Sequence, residues 1–199
     1  MRFNFLSIEP HSFDEIRLEI GEALDNTPDL IDFMKTHHDY LEESISVLMD
    51  PKASVSDKQE HLSRFLILLD MHGHAEEETL YRRLISDDKK VARIEGLGAQ
   101  DEHDIAYLMG DELIALDFTN TWNDQIESKA KVLATMVQNH ILEEESVMFK
   151  IANKQLNAID FDTLSKEYVI KCAMYLDADL TPPSNIADIS VTTRNYREF

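Results

Sequence analysis

The sequence predicts an all-α protein, an up-down-up-down four-helix bundle with extra N- and C-terminal helical segments. Only five glycines and five prolines occur among 199 residues, too few for the many turns of an all-β sandwich or barrel. Apolar residues recur at helical spacing in four long segments, and 43% of all residues are hydrophobic, which is enough for a core. Short loops between these segments favour antiparallel neighbours.

Capping residues and helix breakers set the expected bounds of the bundle helices. Thr27-Pro28-Asp29 is interpreted as an N-cap followed by proline at the first helical position. Ser56-Asp57-Lys58-Gln59 is interpreted as a capping box. Gly96-Leu97-Gly98 is predicted to be a loop, with a short turn of helix before it. The four predicted helices cover residues 28–49, 56–85, 99–116 and 121–153.

Further segments flank the predicted bundle. Residues 12–24 are a plausible extra helix, and residues 160–176 are predicted to form a shorter helix after the bundle. The tail, residues 177–199, has no clear period and is expected to pack over the bundle or to be partly mobile. The expected organisation is an N-terminal extension over residues 1–27, the bundle over 28–156, and a C-terminal helix and tail over 157–199.

The charge and the cysteine content narrow the function classes. With 19 basic and 39 acidic side chains the formal net charge is −20, which argues against nucleic acid and anionic membranes as partners. The single cysteine, Cys172, excludes an intrachain disulfide framework and a cysteine-based metal site. No signal peptide and no apolar run of about 20 residues is visible, so a cytoplasmic location is expected.

An internal repeat places histidines on the apolar faces of the helices. Aligning the second helix with the fourth at an offset of 68 residues pairs His72 with His140 and Glu76 with Glu144. The first and third helices repeat more weakly, with His38 aligned to His103. The chain therefore looks like two related helical hairpins, each with one histidine on its first helix and His-x-x-x-Glu on its second.

The spacing of these residues indicates a metal site. Residues four apart share one face of a helix, so each His-x-x-x-Glu pair lies within an apolar series. A buried carboxylate and imidazole each cost several kcal/mol unless they are paired or bound to a metal. Four imidazoles and two carboxylates facing one interior volume could hold two ions, with the carboxylates bridging. Mixed imidazole and carboxylate ligation with open positions suits non-haem iron.

The register of the site leaves alternatives. His74 and Glu78 form a second His-x-x-x-Glu pair on the same helix, and His37 competes with His38. The repeat favours the pair His72 and Glu76, and the shared His-Asp dipeptide favours His38. Tyr107, four residues after His103, is predicted to line the pocket over the second metal. Two neighbouring acids are expected to be solvated or to lie behind the ligands, with a role as an extra ligand as the alternative: Glu77 and Glu145.

At these residues the sequence resembles the hemerythrin-like family, the HHE cation-binding domain. The resemblance is carried by four stretches in order, covering residues 28–153: His38-Asp39-Tyr40-Leu41, the segment from His72 to Tyr81, Glu102-His103-Asp104, and the segment from His140 to Phe149. It implies a helical bundle that holds two iron ions as an oxo- or hydroxo-bridged centre. By this resemblance, the first iron is bound by His38 and His72, the second by His103 and His140, and both are bridged by Glu76 and Glu144.

Departures from the family pattern shape the functional expectation. Oxygen-carrying relatives place a second histidine where this chain has Tyr107, and relatives that repair iron centres carry an N-terminal cysteine segment, whereas the only cysteine here is Cys172. The favoured hypothesis is a di-iron protein that reacts with a small diatomic ligand (oxygen or nitric oxide) or with peroxide, for sensing, carriage or scavenging. Alternatives are a di-iron oxidase or peroxidase, an iron-responsive module with a protein partner, and a metal-free acidic bundle.

Overall fold

Helices account for all the regular secondary structure in residues 14–180, the part of the chain that the computed structural model describes. The all-α prediction is confirmed for these residues. The helices are α1 Asp14–Asp25, α2 Leu30–Met49, α3 Val55–Glu76, α4 Arg82–Ile85, α5 Lys90–Ala115, α6 Asp124–Glu143, α7 Phe149–Gln155 and α8 Ala158–Leu180. Two π-helical turns, Glu77–Tyr81 and Glu144–Met148, join α3 to α4 and α6 to α7.

The long helices pack around a common apolar interior. α2 packs against α3 and α6. α5 packs against α6 and against α4, which continues α3 after the first π-helical turn. α8 lies over α3 and α2, and α1 packs beside α8. Phe65 of α3 and Leu133 of α6, which are aligned in the repeat, are both fully buried. The apolar series that carry the histidines therefore face the core, as the helical spacing predicts.

The start of α2 differs from the prediction. Asp29, not Thr27, is the N-cap, because its carboxylate accepts a hydrogen bond of 3.1 Å from the backbone N–H of Asp32. Pro28 therefore lies outside the helix rather than at its first position. Its carbonyl accepts a hydrogen bond from the hydroxyl of Ser165 on α8, at 2.8 Å. This contact ties the entry to α2 to the C-terminal helix.

The capping box of α3 also lies two residues earlier than predicted. Ser54 is the N-cap: its hydroxyl accepts from the N–H of Asp57, whose carboxylate accepts in return from the N–H of Ser54. Ser56, the predicted cap, lies within the first turn of α3. Both serines have a suitable polar residue three positions later, so the sequence pattern alone did not separate them.

The predicted loop at Gly96-Leu97-Gly98 is wrong, because α5 runs through it without interruption. Gly96 is buried, and a Cβ there would lie 2.9 Å from Cγ1 of Ile85 and 3.4 Å from the carbonyl oxygen of Tyr81. The glycine thus permits α5 to approach the end of the preceding helix. Close packing outweighs the roughly 1 kcal/mol that a glycine costs within a helix.

The flanking helices are present in the described part of the chain. α1 agrees closely with the predicted extra helix, and α8 is longer than predicted at both ends. α8 begins after Asn157, whose side chain accepts hydrogen bonds from the N–H groups of Ile159 and Asp160. Residues 1–13 and 181–199, including most of the predicted tail, lie outside the described residues. Between residues 14 and 180, no helix combines the length and apolarity that crossing a membrane requires.

Candidate metal centre

The bundle brings the six predicted metal-site residues to its interior. They come from four helices and the second π-helical turn, and each side chain is at most 7% exposed. The residues are His38 of α2, His72 and Glu76 of α3, His103 of α5, His140 of α6 and Glu144 at the start of the second π-helical turn. Their donor atoms form two groups with the spacing of ligands around a metal ion.

The first group joins His38, His72, Glu76 and Glu144. Nε2 of His72 lies 3.0 Å from Oε1 of Glu76, and Nε2 of His38 lies 3.1 Å from Oε2 of Glu144. These two His–Glu pairs are close to each other, because Nε2 of His38 is 4.0 Å from Oε1 of Glu76. Two ligand atoms at right angles around an ion about 2.1 Å from each would be about 3.0 Å apart, so these separations suit a shared ion.

The second group joins Glu76, His103 and His140. The Nε2 atoms of His103 and His140 are 3.0 Å apart, and Nε2 of His103 lies 3.7 Å from Oε2 of Glu76. Glu76 thus presents one oxygen to each group. Glu144 belongs to the first group alone, so the second group has three protein donors and the first has four.

Five donor atoms of the first group are buried and have no hydrogen-bond partner. They are Nε2 of His38 and His72, Oε1 of Glu76, and both carboxylate oxygens of Glu144. The close contacts between these atoms are therefore not aligned as hydrogen bonds. Leaving one buried polar group unsatisfied costs about 1–3 kcal/mol, and more when it is charged. A cation bound at this position would compensate all five atoms, which makes the donor set a good fit for a metal.

Each of the four histidines turns its other nitrogen, Nδ1, towards an outer partner. Nδ1 of His38 donates to Glu145 at 2.8 Å, and that of His140 donates to Glu102 at 2.7 Å. Nδ1 of His103 lies 3.3 Å from Oε1 of Glu77. The fourth partner is a phenol rather than a carboxylate: Tyr168 of α8, whose hydroxyl is 2.6 Å from Nδ1 of His72. Such outer contacts orient metal-binding imidazoles and fix which nitrogen carries the proton.

The sequence pattern indicates some of these outer partners but not others. Glu77 and Glu145 occupy equivalent positions in the repeat, and they cross between hairpins: Glu77 contacts His103, and Glu145 contacts His38. Glu102 and Tyr168 were not identified. Glu102 precedes His103 in the sequence, yet it contacts His140 on another helix. Tyr168 has no periodic signal that relates it to the histidines, because α8 lies outside the repeat.

The competing register lies outside both groups. His74 contacts Asp70 at 3.4 Å and Glu77 at 3.9 Å, while Glu78 is held by Tyr175 and Lys171 of α8. His37 is fully buried, but Nδ1 points to the hydroxyl of Tyr168 at 2.8 Å and neither group includes it. Of the two His-x-x-x-Glu pairs, only His72 and Glu76 face the bundle interior, while His74 and Glu78 are held by other side chains.

The π-helical turns bring an aromatic ring onto each group. In each turn the backbone bonds to the fifth residue along, as in the contact from the N–H of Phe149 to the carbonyl of Glu144. Residues five apart consequently share a face: Tyr81 follows Glu76 by five, and Phe149 follows Glu144 by five. Phe149 stacks on His38 with ring centroids 5.9 Å apart, and Tyr81 lies 5.3 Å from His103 by the same measure. Such turns are frequent at functional sites.

Tyr81 places a hydroxyl beside Glu76 and His140, where the equivalent ring of the repeat, Phe149, has none. The Tyr81 phenol is fully buried and donates to Oε2 of Glu76 at 3.1 Å, with Nε2 of His140 3.3 Å away. At the equivalent position of the repeat, Phe149 carries no polar atom. Burial, together with the charges of Glu144 and Glu76, holds the pKa of Tyr81 well above its usual value, so the phenol keeps its proton.

Tyr107, the predicted pocket residue, lies on the outer side of His103. Its ring centroid is 5.9 Å from that of His103 and 4.6 Å from that of His74. Both Tyr107 and His103 press against Gly73 of α3: a Cβ there would overlap the Tyr107 hydroxyl and approach Nδ1 of His103 to 3.1 Å. Gly73 therefore makes room for the Tyr107 hydroxyl first and for His103 second, a question that the sequence left open.

Burial and mutual repulsion shift the pKa values of the charged groups in the centre. Burial, followed by the charge of Glu144, raises the pKa of Glu76 well above its usual range. Burial, followed by the charges of His38 and His37, lowers the pKa of His72 well below its usual value. A neutral imidazole is the form that binds a metal, and a cation is what would stabilise two adjacent carboxylates in the interior.

A helical bundle with two interior groups of imidazole and carboxylate donors defines a cation-binding helical domain. The family profile described as "Hemerythrin HHE cation binding domain" matches residues 29–152, more than half of the chain. The chain belongs to this family. Comparisons with curated proteins and with solved structures gave no significant match. The matched segment runs from the N-cap of α2 into α7, so α1 and α8 lie beyond it.

Proposed function

We propose that this protein binds two iron ions at the candidate centre and reacts there with oxygen, nitric oxide or peroxide. The observation that carries the proposal is the set of five buried, unpartnered donor atoms in the first group. The ligand assignment follows the two groups: His38, His72 and Glu144 for one ion, His103 and His140 for the other, with Glu76 between them. The family resemblance implies that Glu144 bridges as well, whereas its carboxylate lies in the first group alone, so we propose it as a ligand of the first ion.

Iron is the metal that this donor set favours. Imidazole and carboxylate ligands with positions left open are typical of non-haem iron sites that react with oxygen. Cysteine thiolates, which favour zinc or iron–sulfur clusters, are absent from both groups. When bound, iron would supply open coordination positions and reversible oxidation. The histidines and carboxylates of this chain would hold it in place and keep water away.

The second group is the more suitable position for an exogenous ligand. It has three protein donors rather than four, so an ion there would keep more positions open. The Tyr81 hydroxyl, 3.1 Å from Glu76 and 3.3 Å from His140, is a hydrogen-bond donor beside that position. The burial of every donor restricts the ligand to a small molecule, since the most exposed, His140, is only 7% exposed.

We also propose the up-down-up-down order for the four bundle helices. The short connections after α2 and after α5 support it, since they leave little chain to return to the starting end. The neighbour relations of α2 with α3 and α6 are those of such a bundle.

The decisive experiment is metal analysis with optical spectroscopy on protein loaded with iron under anaerobic conditions. We expect two irons per chain and an absorption change when oxygen or nitric oxide is added. Binding of one iron or none would overturn the proposal. If the protein binds two irons but its spectrum does not change with oxygen, nitric oxide or peroxide, the proposed metal site would stand and the proposed reactivity would be wrong.

A second candidate function, a di-iron oxidase or peroxidase, is favoured by Tyr81. The buried hydroxyl of Tyr81 would offer a hydrogen bond to peroxide beside an iron held by His103 and His140. Catalytic consumption of peroxide by the iron-loaded protein, lost in Tyr81→Phe at unchanged iron content, would support the enzyme. A single stoichiometric reaction without turnover would instead favour sensing or carriage.

A further inference from the structure

The C-terminal helix contributes directly to the candidate metal centre, although it lies beyond the segment that the family profile matches. Tyr168 of α8 is fully buried, and its hydroxyl lies 2.6 Å from Nδ1 of His72 and 2.8 Å from Nδ1 of His37. His72 is a donor of the first group, whereas His37 is a donor of neither. One phenol therefore joins a metal-site histidine to a histidine outside the site.

Counting the protons shows which group donates in each of the two hydrogen bonds that Tyr168 makes with His72 and His37 once a metal is bound. A neutral imidazole carries a single proton, so His72 with Nε2 on a metal has its proton on Nδ1 and donates to the Tyr168 oxygen. The hydroxyl then has its own proton left to give. Two acceptors lie beside it, Nδ1 of His37 at 2.8 Å and the buried sulfur of Cys172, and the imidazole nitrogen is the stronger acceptor. Donation to this nitrogen requires His37 to carry its own proton on Nε2, which is buried and has no hydrogen-bond partner among the described residues.

The burial of these side chains supports a neutral, fixed arrangement. His37, His72 and Tyr168 are at most 2% exposed. The rings also pack edge to face: the centroid of His72 is 6.2 Å from that of Tyr168 and 5.6 Å from that of His37, at interplanar angles of 89° and 86°. Little rotational freedom remains for the His72 ring once the phenol occupies this position.

Other contacts hold α8 at the level of the first π-helical turn. Tyr175 donates to Glu78 at 2.5 Å, Lys171 pairs with the same carboxylate, and Glu167 accepts from Arg82 at 3.1 Å. These contacts flank Tyr168 along α8 on one face of the bundle. The helix that supplies the phenol is thus secured to the segment that follows Glu76.

We propose that Tyr168 is a positioning residue for the metal centre and that α8 is an integral part of the site. Tyr168 holds the His72 ring, selects the tautomer in which Nε2 binds metal, and donates a hydrogen bond to Nδ1 of His37. This inference rests on the proposed function, because it concerns the same ions. Beyond that function, we infer that the metal affinity of residues 29–152 depends on α8, which lies outside the segment that the family profile matches.

The affinity test compares the same substitution at two tyrosines of α8. Removing an outer partner of a metal-bound histidine typically weakens binding about 10–100-fold. We expect Tyr168→Phe to weaken Fe²⁺ binding by about that factor, measured anaerobically by competition with a chelator. The matched control is Tyr175→Phe, which loses a hydrogen bond to Glu78 but contacts neither group. We expect its affinity to be that of the unsubstituted chain.

A second measurement uses the unsubstituted chain and does not depend on the variant folding. Zn²⁺ has no unpaired electrons, so ¹⁵N spectra of the zinc-loaded protein report the tautomer of each histidine. We expect the Nδ1–H form for His72 and the Nε2–H form for His37. A proton on Nδ1 of His37, or equal Fe²⁺ affinities for Tyr168→Phe and the unsubstituted chain, would overturn the inference. Failure of the unsubstituted chain to bind metal would overturn the proposed function instead.

Discussion

Each histidine of the candidate centre has one nitrogen facing the interior and the other held from outside. This arrangement accounts for the choice between neighbouring residues that the sequence offered. Nε2 of His38 and of His72 lies close to Glu144 and to Glu76, respectively. Nε2 of His37 belongs to neither group, and His74 faces Asp70. At the scale of single residues, the orientation of a side chain around its helix decides whether it belongs to the site.

Glu76 is the residue whose loss should be most informative, because it alone is shared by both groups. Glu76→Gln replaces a carboxylate by a neutral amide, a poorer ligand for iron. We expect this variant to lose the paired iron site, with iron per chain falling from two to one or none by metal analysis. Glu78→Gln is the matched control, since Glu78 is held by Tyr175 and Lys171 on the other face.

The two variants separate the two possible registers on α3. Full iron content in Glu76→Gln, together with loss in Glu78→Gln, would assign the site to His74 and Glu78. The reverse pattern is expected from the orientation of the two carboxylates.

A glycine beside His103 offers a test of packing at the same scale. Gly73→Ala would place a Cβ 3.1 Å from Nδ1 of His103 and onto the Tyr107 hydroxyl. Overpacking of this kind typically costs about 1–3 kcal/mol, and we expect a lower midpoint of thermal unfolding. Gly98→Ala is the control, because a Cβ there meets nothing within 4 Å on an exposed helix face. It should stabilise by up to about 1 kcal/mol. Equal effects of both substitutions would argue against a special role for Gly73.

At the scale of elements, the two π-helical turns are the feature that periodicity did not reveal. The first turn begins directly after Glu76 and the second begins at Glu144. In each case the aromatic residue five positions after that glutamate packs against a histidine of the centre. The repeat aligns Tyr81 with Phe149, but it does not indicate that the backbone near each residue forms a wider, π-helical turn. A π-helical turn changes one backbone hydrogen-bond register and leaves the apolar pattern of the sequence almost unaltered.

The cap of α3 gives a prediction for a single element. Ser54→Ala removes the hydroxyl that accepts from the N–H of Asp57, and loss of an N-cap typically costs about 1 kcal/mol. For a chain of this length we expect the unfolding midpoint to fall by about 2–4 °C in calorimetry. Ser56→Ala is the matched control two residues later, also exposed, and should leave the midpoint nearly unchanged. A larger fall of the unfolding midpoint in Ser56→Ala than in Ser54→Ala would indicate that Ser56 is the N-cap, as the sequence predicted.

At the scale of the whole molecule, the interior charges connect metal binding to stability. The first group contains two adjacent buried carboxylates, and burial raises the pKa of Glu76 because its charged form is poorly solvated. A ligand that binds the folded state alone stabilises by about 2.7 kcal/mol at a hundredfold excess over its Kd. The bundle should therefore be noticeably more stable with metal than without it.

This coupling is measurable as a shift in thermal unfolding. With Fe²⁺ added anaerobically at a hundredfold excess over Kd, we expect the midpoint to rise by about 5–10 °C and to fall again on chelation. The Glu76→Gln variant should show a much smaller shift. A midpoint unaffected by iron and by chelators would contradict metal binding at the interior groups and favour the metal-free acidic bundle.

The sequence by itself determined the helical class and the internal repeat, because helical spacing and i,i+4 pairs are local properties of a sequence. The resemblance of its motifs indicated the family, which the profile over residues 29–152 confirms. The sequence also narrowed the site to a few histidines and carboxylates. Only the tertiary structure decided which of two adjacent pairs faces the interior, that α5 continues through two glycines, and that Tyr168 reaches His72 from α8. These outcomes depend on contacts between segments far apart in the chain, where packing outweighs local preference.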